Sequence, residues 1–135
     1  MISTELARAL RDSGLPWRPR AGDWFRIDRI EADEEVFILS DMTVEAYEFS
    51  TGTVIGFNGT TEWALDSVAL SDALWLPRED QLRDFLGVTF RSLTHSTGYA
   101  VAAEFEGETH VYEADTAANA YARSVLHLLD SLAAE

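Results

Sequence analysis

Hydrophobic positions recur along this chain with two periods, and the switches between them mark out the predicted elements. Ile2, Leu6, Ala9 and Leu10 share one side of a helical wheel, with Arg8, Arg11 and Asp12 opposite. Ser3 is placed to cap the start of that helix and Gly14 to end it. Pro16 and Pro19 then hold residues 15–22 extended. Four β-rich runs follow, at 24–28, 36–40, 44–49 and 53–58, with Ser50-Thr51-Gly52 turning between the last two. Val36-Phe37-Ile38-Leu39 is apolar at every position, which predicts a central strand covered on both faces. A second helix is expected from Gly59 to about Leu70, and a third from Pro77 to Gly87 with Leu82, Phe85 and Leu86 facing inward.

Residues 88–94, 99–105 and 109–114 read as a three-stranded meander, in which Tyr99, Val101, Ala103 and Phe105 alternate to one face. Two registers are open for its second hairpin. A three-residue loop at Glu106-Gly107-Glu108 sets Glu104 opposite His110, a surface pair; this is the preferred register. A two-residue turn at Glu106-Gly107 instead brings His110 and Tyr112 onto the Tyr99–Phe105 face, because a one-residue slip reverses every side chain. A last helix, capped by Asp115 or Thr116, runs to about Ala133. Its apolar arc holds Ala118, Tyr121, Ala122, Val125, Leu126, Leu128, Leu129 and Leu132. Tyr121, Val125, Leu128 and Leu132 are expected to be buried on a sheet, with Asn119, Arg123, Ser124, His127, Asp130 and Ser131 on the polar side.

This order predicts an α+β fold: an antiparallel sheet of two meanders with about six or seven strands, an N-terminal helix, two central helices and a long amphipathic C-terminal helix. One compact domain over 1–135 is expected. Leu10-Arg11-Asp12 recurs as Leu82-Arg83-Asp84, the trace of a weak pseudo-repeat with halves at 1–70 and 76–135.

Charge changes this picture most. The 135 residues carry 24 acids against 10 bases, a net charge of −14, and every base is Arg. Residues 1–29 hold Arg8, Arg11, Arg18, Arg20, Arg26 and Arg29 against Glu5, Asp12, Asp23 and Asp28, so the remainder carries −16. Such a field repels phosphate backbones and anionic lipid, so neither nucleic acid nor a membrane surface is an expected partner. The N-terminus has no basic and apolar leader and no run approaches a membrane span, so a cytoplasmic location is expected. Cys is absent, which removes disulfides, thiolate metal sites and Cys nucleophiles together.

The remaining chemistry is sparse. His127 falls on the polar side of the last helix and reads as a solvated side chain; His95 lies in a loop beside Ser96, which is not a general-base geometry. No metal-ligand spacing and no phosphate-binding loop occurs, so neither catalytic nor metal residues are assigned and no cofactor is expected. Trp17 sits between Pro16 and Pro19 beside Arg18 and Arg20, a basic aromatic patch on an acidic protein. With the acidic run Asp33, Glu34 and Glu35, it is the candidate partner-binding surface. Trp63, Trp75, His110 and Tyr112 are the candidate lining of a small-molecule cleft.

The segments Leu39-Ser40-Asp41-Met42-Thr43-Val44-Glu45, 57–66 (Phe57-Asn58-Gly59-Thr60-Thr61-Glu62-Trp63-Ala64-Leu65-Asp66) and Trp75-Leu76-Pro77-Arg78-Glu79-Asp80-Gln81-Leu82 resemble a family of short actinobacterial proteins of uncharacterised function, some labelled pilus assembly proteins. The resemblance implies an actinobacterial cytoplasmic protein of similar length and brings no catalytic residues. The pilus label belongs to longer ATPases with phosphate-binding loops, and no such loop is present here. In size, acidity and lack of Cys the chain is also similar in type to type III secretion chaperones, and in size and charge to bacterial immunity proteins. The leading expectation is a non-enzymatic protein-protein interaction module whose partner is a protein, one with a basic surface if the acidity serves recognition, or a second copy in a homodimer. The alternatives are a small-molecule-binding or enzymatic cleft and a mimic of a polyanion.

Overall fold

The computed structural model describes residues 1–28, 36–39, 45–49, 52–56, 67–69 and 72–133. In chain order these form α1 (Thr4–Asp12), β1 (Trp24–Ile27), β2 (Phe37–Ile38), β3 (Glu45–Phe49), β4 (Gly52–Gly56), β5 (Ser67–Ala69), β6 (Ala73–Trp75), α2 (Glu79–Leu86), a 3₁₀ turn (Gly87–Thr89), β7 (Phe90–His95), β8 (Tyr99–Phe105), β9 (Glu108–Ala114) and α3 (Ala117–Ala133). The fold class is α+β. No described helix is long and apolar enough to cross a membrane. The strands make three antiparallel sheets of three rather than one sheet of six or seven, in the orders β2-β1-β6, β3-β4-β5 and β7-β8-β9. One of these, β7-β8-β9, is an expected meander; the strands expected together over 24–58 are split, with β3 and β4 in a second sheet. The third arises because β1 pairs with the distant β6, Phe25 opposite Trp75, a partnership that local periodicity does not encode.

Two further expectations are corrected. Residues 36–39 do not supply a central strand: β1 is central, β2 lies at the edge, and Ile38 is 63% exposed. The helix predicted to reach Leu70 is contradicted over Ser67–Ala69, which forms β5 and pairs with Val54 to Gly56 of β4. Sheet pairing there overrides the helical reading, as it readily does for so short a segment; residues 57–66 lie outside the described ones. Three α-helices are therefore described, not four.

The chain divides into two compact units, one of Met1–Pro16 with Pro77–Glu135 and one of Trp17–Leu76. In the first, α1 is set by its ends. The Ser3 hydroxyl accepts from the Leu6 N–H at 3.3 Å, and the Ser3 N–H donates to Asn119 Oδ1 at 2.8 Å. At the other end Gly14 takes φ 97°, and the N–H groups of Gly14 and Leu15 donate to the Arg11 and Leu10 carbonyls. That pair of bonds closes the helix as the left-handed glycine predicts. Ser3→Ala removes the cap acceptor and should cost about 0.5–2 kcal/mol, read from the urea midpoint at constant m-value.

Helix α3 packs on β8 and β9 and also against α2 and α1. Its buried side is therefore wider than the predicted arc. Ala117, Ala120 and Ser124 are buried with Tyr121, Ala122, Val125 and Leu129, although Ser124 was expected on the polar side. Toward the C-terminus the reverse holds: Leu128 is half-buried and Leu132 is 54% exposed, against the expectation that both would be covered. The end of the sheet is reached before the end of the helix pattern. Tyr121 stacks on Phe90 at 5.8 Å, and the Arg83 guanidinium sits 4.3 Å over the Phe90 ring.

The β8–β9 register is the one not preferred. Phe105 pairs with Glu108, Ala103 with His110 and Val101 with Tyr112, so only Glu106 and Gly107 turn. Both have positive φ, 57° and 78°, the requirement of the tight hairpin turn that matches strand twist. Glu is a poor residue for the left-handed region, which is why this turn is not evident in the sequence. Glu104 consequently faces Thr109, and its carboxylate meets Arg91 at 3.3 Å instead of His110.

In the second unit Phe25, Leu39 and Ala73 are buried, with Trp17, Ile27 and Phe37 packed against them. Asp23 is 3% exposed, and its carboxylate accepts from the Trp17 indole N–H at 2.9 Å and the Arg20 backbone N–H at 3.0 Å. The Pro-flanked segment is thereby tied to the first strand of the unit rather than left loose.

Candidate functional site

Strand β9 organises the chemistry of the first unit, because its alternation sends His110 and Tyr112 toward α3 and Thr109, Val111 and Glu113 to the opposite face. On the α3 side four rings meet. His110 stacks on Phe105 at 4.9 Å, and the His127 ring stands edge-on to His110 at 4.7 Å and to Phe105 at 5.1 Å. Tyr112 Oη and His127 Nδ1 share a hydrogen bond, and His110 Nε2 lies 3.9 Å from Glu108 Oε2. His127 is exposed, as its place on the polar side predicts, yet it is held in a ring cluster rather than simply solvated. At the hairpin tip, Ser131 Oγ hydrogen-bonds Glu106 Oε1 and ties α3 to the turn.

Burial raises the Tyr112 hydroxyl from the usual 10.0 to about 12, and burial likewise raises that of Tyr121, opposed by Arg83. The folded protein holds the Tyr112 proton more tightly than the unfolded chain does. Its contribution to stability is therefore fully present below pH 10.0 and lost as pH rises through about 12. Alkaline denaturation series should show this loss, and Tyr112→Phe should flatten it while removing a late step of the tyrosinate absorbance titration.

At the far end of β9 lies an open cleft of about 450 Å³, lined among others by Thr94, Tyr99, Glu113, Asp115, Asn119 and Arg123. Asn119 and Arg123 are one helical turn apart on α3, and Thr116 Oγ1 caps that helix by accepting from the Asn119 N–H at 3.1 Å. His95 is exposed and stacked on Tyr99 at 4.3 Å. Sequence reasoning missed this cleft. The signal available was the Asp115-Thr116 cap followed by polar residues at helical spacing.

Of the predicted cleft residues, His110 and Tyr112 are adjacent on β9, while Trp75 belongs to the other unit and Trp63 lies outside the described residues. Trp75 stacks on Trp17 with centroids 6.1 Å apart and planes 6° from parallel. Among the predicted partner-binding residues, Trp17 is half-buried in that aromatic group, Arg18 and Arg20 are exposed, and Asp33, Glu34 and Glu35 lie outside the described residues. Among the described residues no three His, Cys, Asp or Glu side chains converge as a metal would need.

The edges of the β7-β8-β9 sheet differ. A register shift between Phe90 and Ser92 breaks β7, and Arg91 stands in the irregularity. Strand β9 pairs over all seven of its residues with no shift, packs against β8 and α3, and has no further strand beyond it among the described residues. Val111, at its middle, is 61% exposed. Glu106 and Glu108 at one end, and Glu113 and Asp115 at the other, are exposed. No family model, curated protein or solved structure matches the chain.

Proposed function

We propose that this chain is a protein-interaction module and that the outer edge of β9 is its recognition element. The observation that carries the reading is a regular seven-residue edge strand with Val111 61% exposed at its centre. Proteins ordinarily blunt such an edge with Lys, Pro or a bulge, and β9 has none of them. An exposed edge of this kind binds extended segments through the main chain and sorts them by side-chain pockets. The exposed Arg18 and Arg20, and the acidic run Asp33, Glu34 and Glu35 of the sequence, are further charged residues that act on encounter.

The test is affinity capture from native extract at low salt, with the chain and its Val111→Pro variant as baits. In a hairpin with a two-residue turn, Phe105 and Glu108 form a hydrogen-bonded pair. By alternation the Val111 N–H points away from β8, so Pro blocks the edge without breaking the hairpin. Specific partners should be lost with the variant; partners captured equally by both baits would refute the edge. With a captured partner, charge reversal at 33–35 should slow association and leave dissociation nearly unchanged.

The cleft of about 450 Å³ favours a second reading, a site for a small polar ligand offered donors by Asn119 and Arg123 and acceptors by Glu113 and Asp115. Calorimetry with polar metabolites on Arg123→Ala and the unaltered chain separates it from the first.

A further inference from the structure

We infer that the segment β9 receives is an extended, basic stretch of a partner chain, added as a fourth strand antiparallel to β9. The inference rests on the reading of β9 as a recognition edge and adds the chemistry of what binds there. Alternation turns the N–H and C=O groups of Thr109, Val111 and Glu113 outward, because their neighbours His110 and Tyr112 hold the inward bonds to β8. An added strand satisfies those outward groups, and its side chains stand opposite those of β9.

The side chains set its composition. Opposite Tyr112 and His110, on the face that carries α3, apolar residues meet the rims of two rings; opposite Val111, on the other face, an apolar residue meets an exposed isopropyl group. Carboxylates bracket this middle. Glu106 and Glu108 stand at one end, and Glu113 and Asp115 at the other, all exposed. The strand rise of about 3.4 Å per residue separates Glu108 from Glu113 by about 17 Å, so the complementary segment carries Lys or Arg five residues apart around an apolar centre. The net charge of −14 adds long-range attraction for the same kind of segment. A second copy of this chain fits less well. Centred on Val111, self-pairing would set Glu108 opposite Ala114 and Glu113 opposite Thr109, so no carboxylate of this edge would meet a cation.

The probe is a labelled, end-blocked heptapeptide, Thr-Lys-Phe-Val-Ile-Thr-Lys, followed by fluorescence anisotropy, with amide shifts by NMR. Its central Val is the residue set opposite Val111. We expect saturable binding, with the amide signals of Thr109, Val111 and Glu113 moving most. N-methylation of the central Val removes a bond to β9 and should weaken binding about tenfold or more, whereas N-methylation of the Phe beside it, whose N–H faces away, should change little. Replacing both Lys by Glu should weaken binding about tenfold at low salt. These controls leave the protein unaltered, so loss of folding cannot imitate them.

Equal weakening by the two N-methyl groups, or equal affinity for the Glu peptide, overturns the inference. So does rapid disulfide dimerisation of Val111→Cys, a clean reporter in a chain without Cys. If captured partners vanish with Val111→Pro but this peptide does not bind, the recognition edge stands and the basic strand fails. If the captured partners are indifferent to Val111→Pro, the edge itself fails.

Discussion

Phe25→Ala is expected to cost the Trp17–Leu76 unit about 3–5 kcal/mol. Phe25 is 1% exposed on the central strand β1, and its ring lies 6.0 Å from Trp17 and 5.6 Å from Phe37. Truncation removes the side chain on which Leu39 and Ala73 also close, so the cost includes both lost transfer and the cavity left behind. The readout is unusually clean, because Trp17, Trp24, Trp63 and Trp75 all fall within this unit. Indole fluorescence against denaturant should show the midpoint falling sharply. A loss under about 1 kcal/mol would mean that the core of this unit does not depend on β1.

Leu10→Ala should destabilise the other unit by about 2–5 kcal/mol. Leu10 is 1% exposed, stands at the last turn of α1 and accepts the closing bond from Leu15. Through α1 it belongs to a body whose other elements begin only at Pro77. All three described α-helices lie in this unit, so far-ultraviolet ellipticity follows it. Ellipticity should lose its stability in Leu10→Ala, and indole fluorescence in Phe25→Ala. Whether each variant also shifts the other signal measures directly how far the two units unfold together. An ellipticity midpoint unmoved by Leu10→Ala would detach α1 from the core it is assigned to.

Much of the local structure was legible. Ser3 and Gly14 bound α1 because capping is decided by atoms three or four residues away, and a cap residue carries its own acceptor or its own freedom at φ. The alternation from Tyr99 to Phe105 survives intact as the buried face of β8, since Val101 and Ala103 are fully covered. The candidate site was legible only in pieces. His110 and Tyr112 could be named, but not their facing, because that turned on a Glu in the left-handed region at Glu106. The ring cluster with His127 needed β9 and α3 to be brought together, and the polar side of a helix does not reveal which strand lies beneath it.

The sequence by itself determined the α+β class, the ends of α1, the length of the last helix and the strong negative charge, all of which follow from near neighbours or from composition. Tertiary structure alone decided that β1 pairs with β6, that Ser67–Ala69 is strand, that Ser124 is buried while Leu132 is exposed, and that β9 ends its sheet with Val111 uncovered. The physical reason is common to all four. Each depends on which surface arrives from a distant part of the chain, and hydrophobic periodicity tells a residue's side of its own element but not what that side will meet.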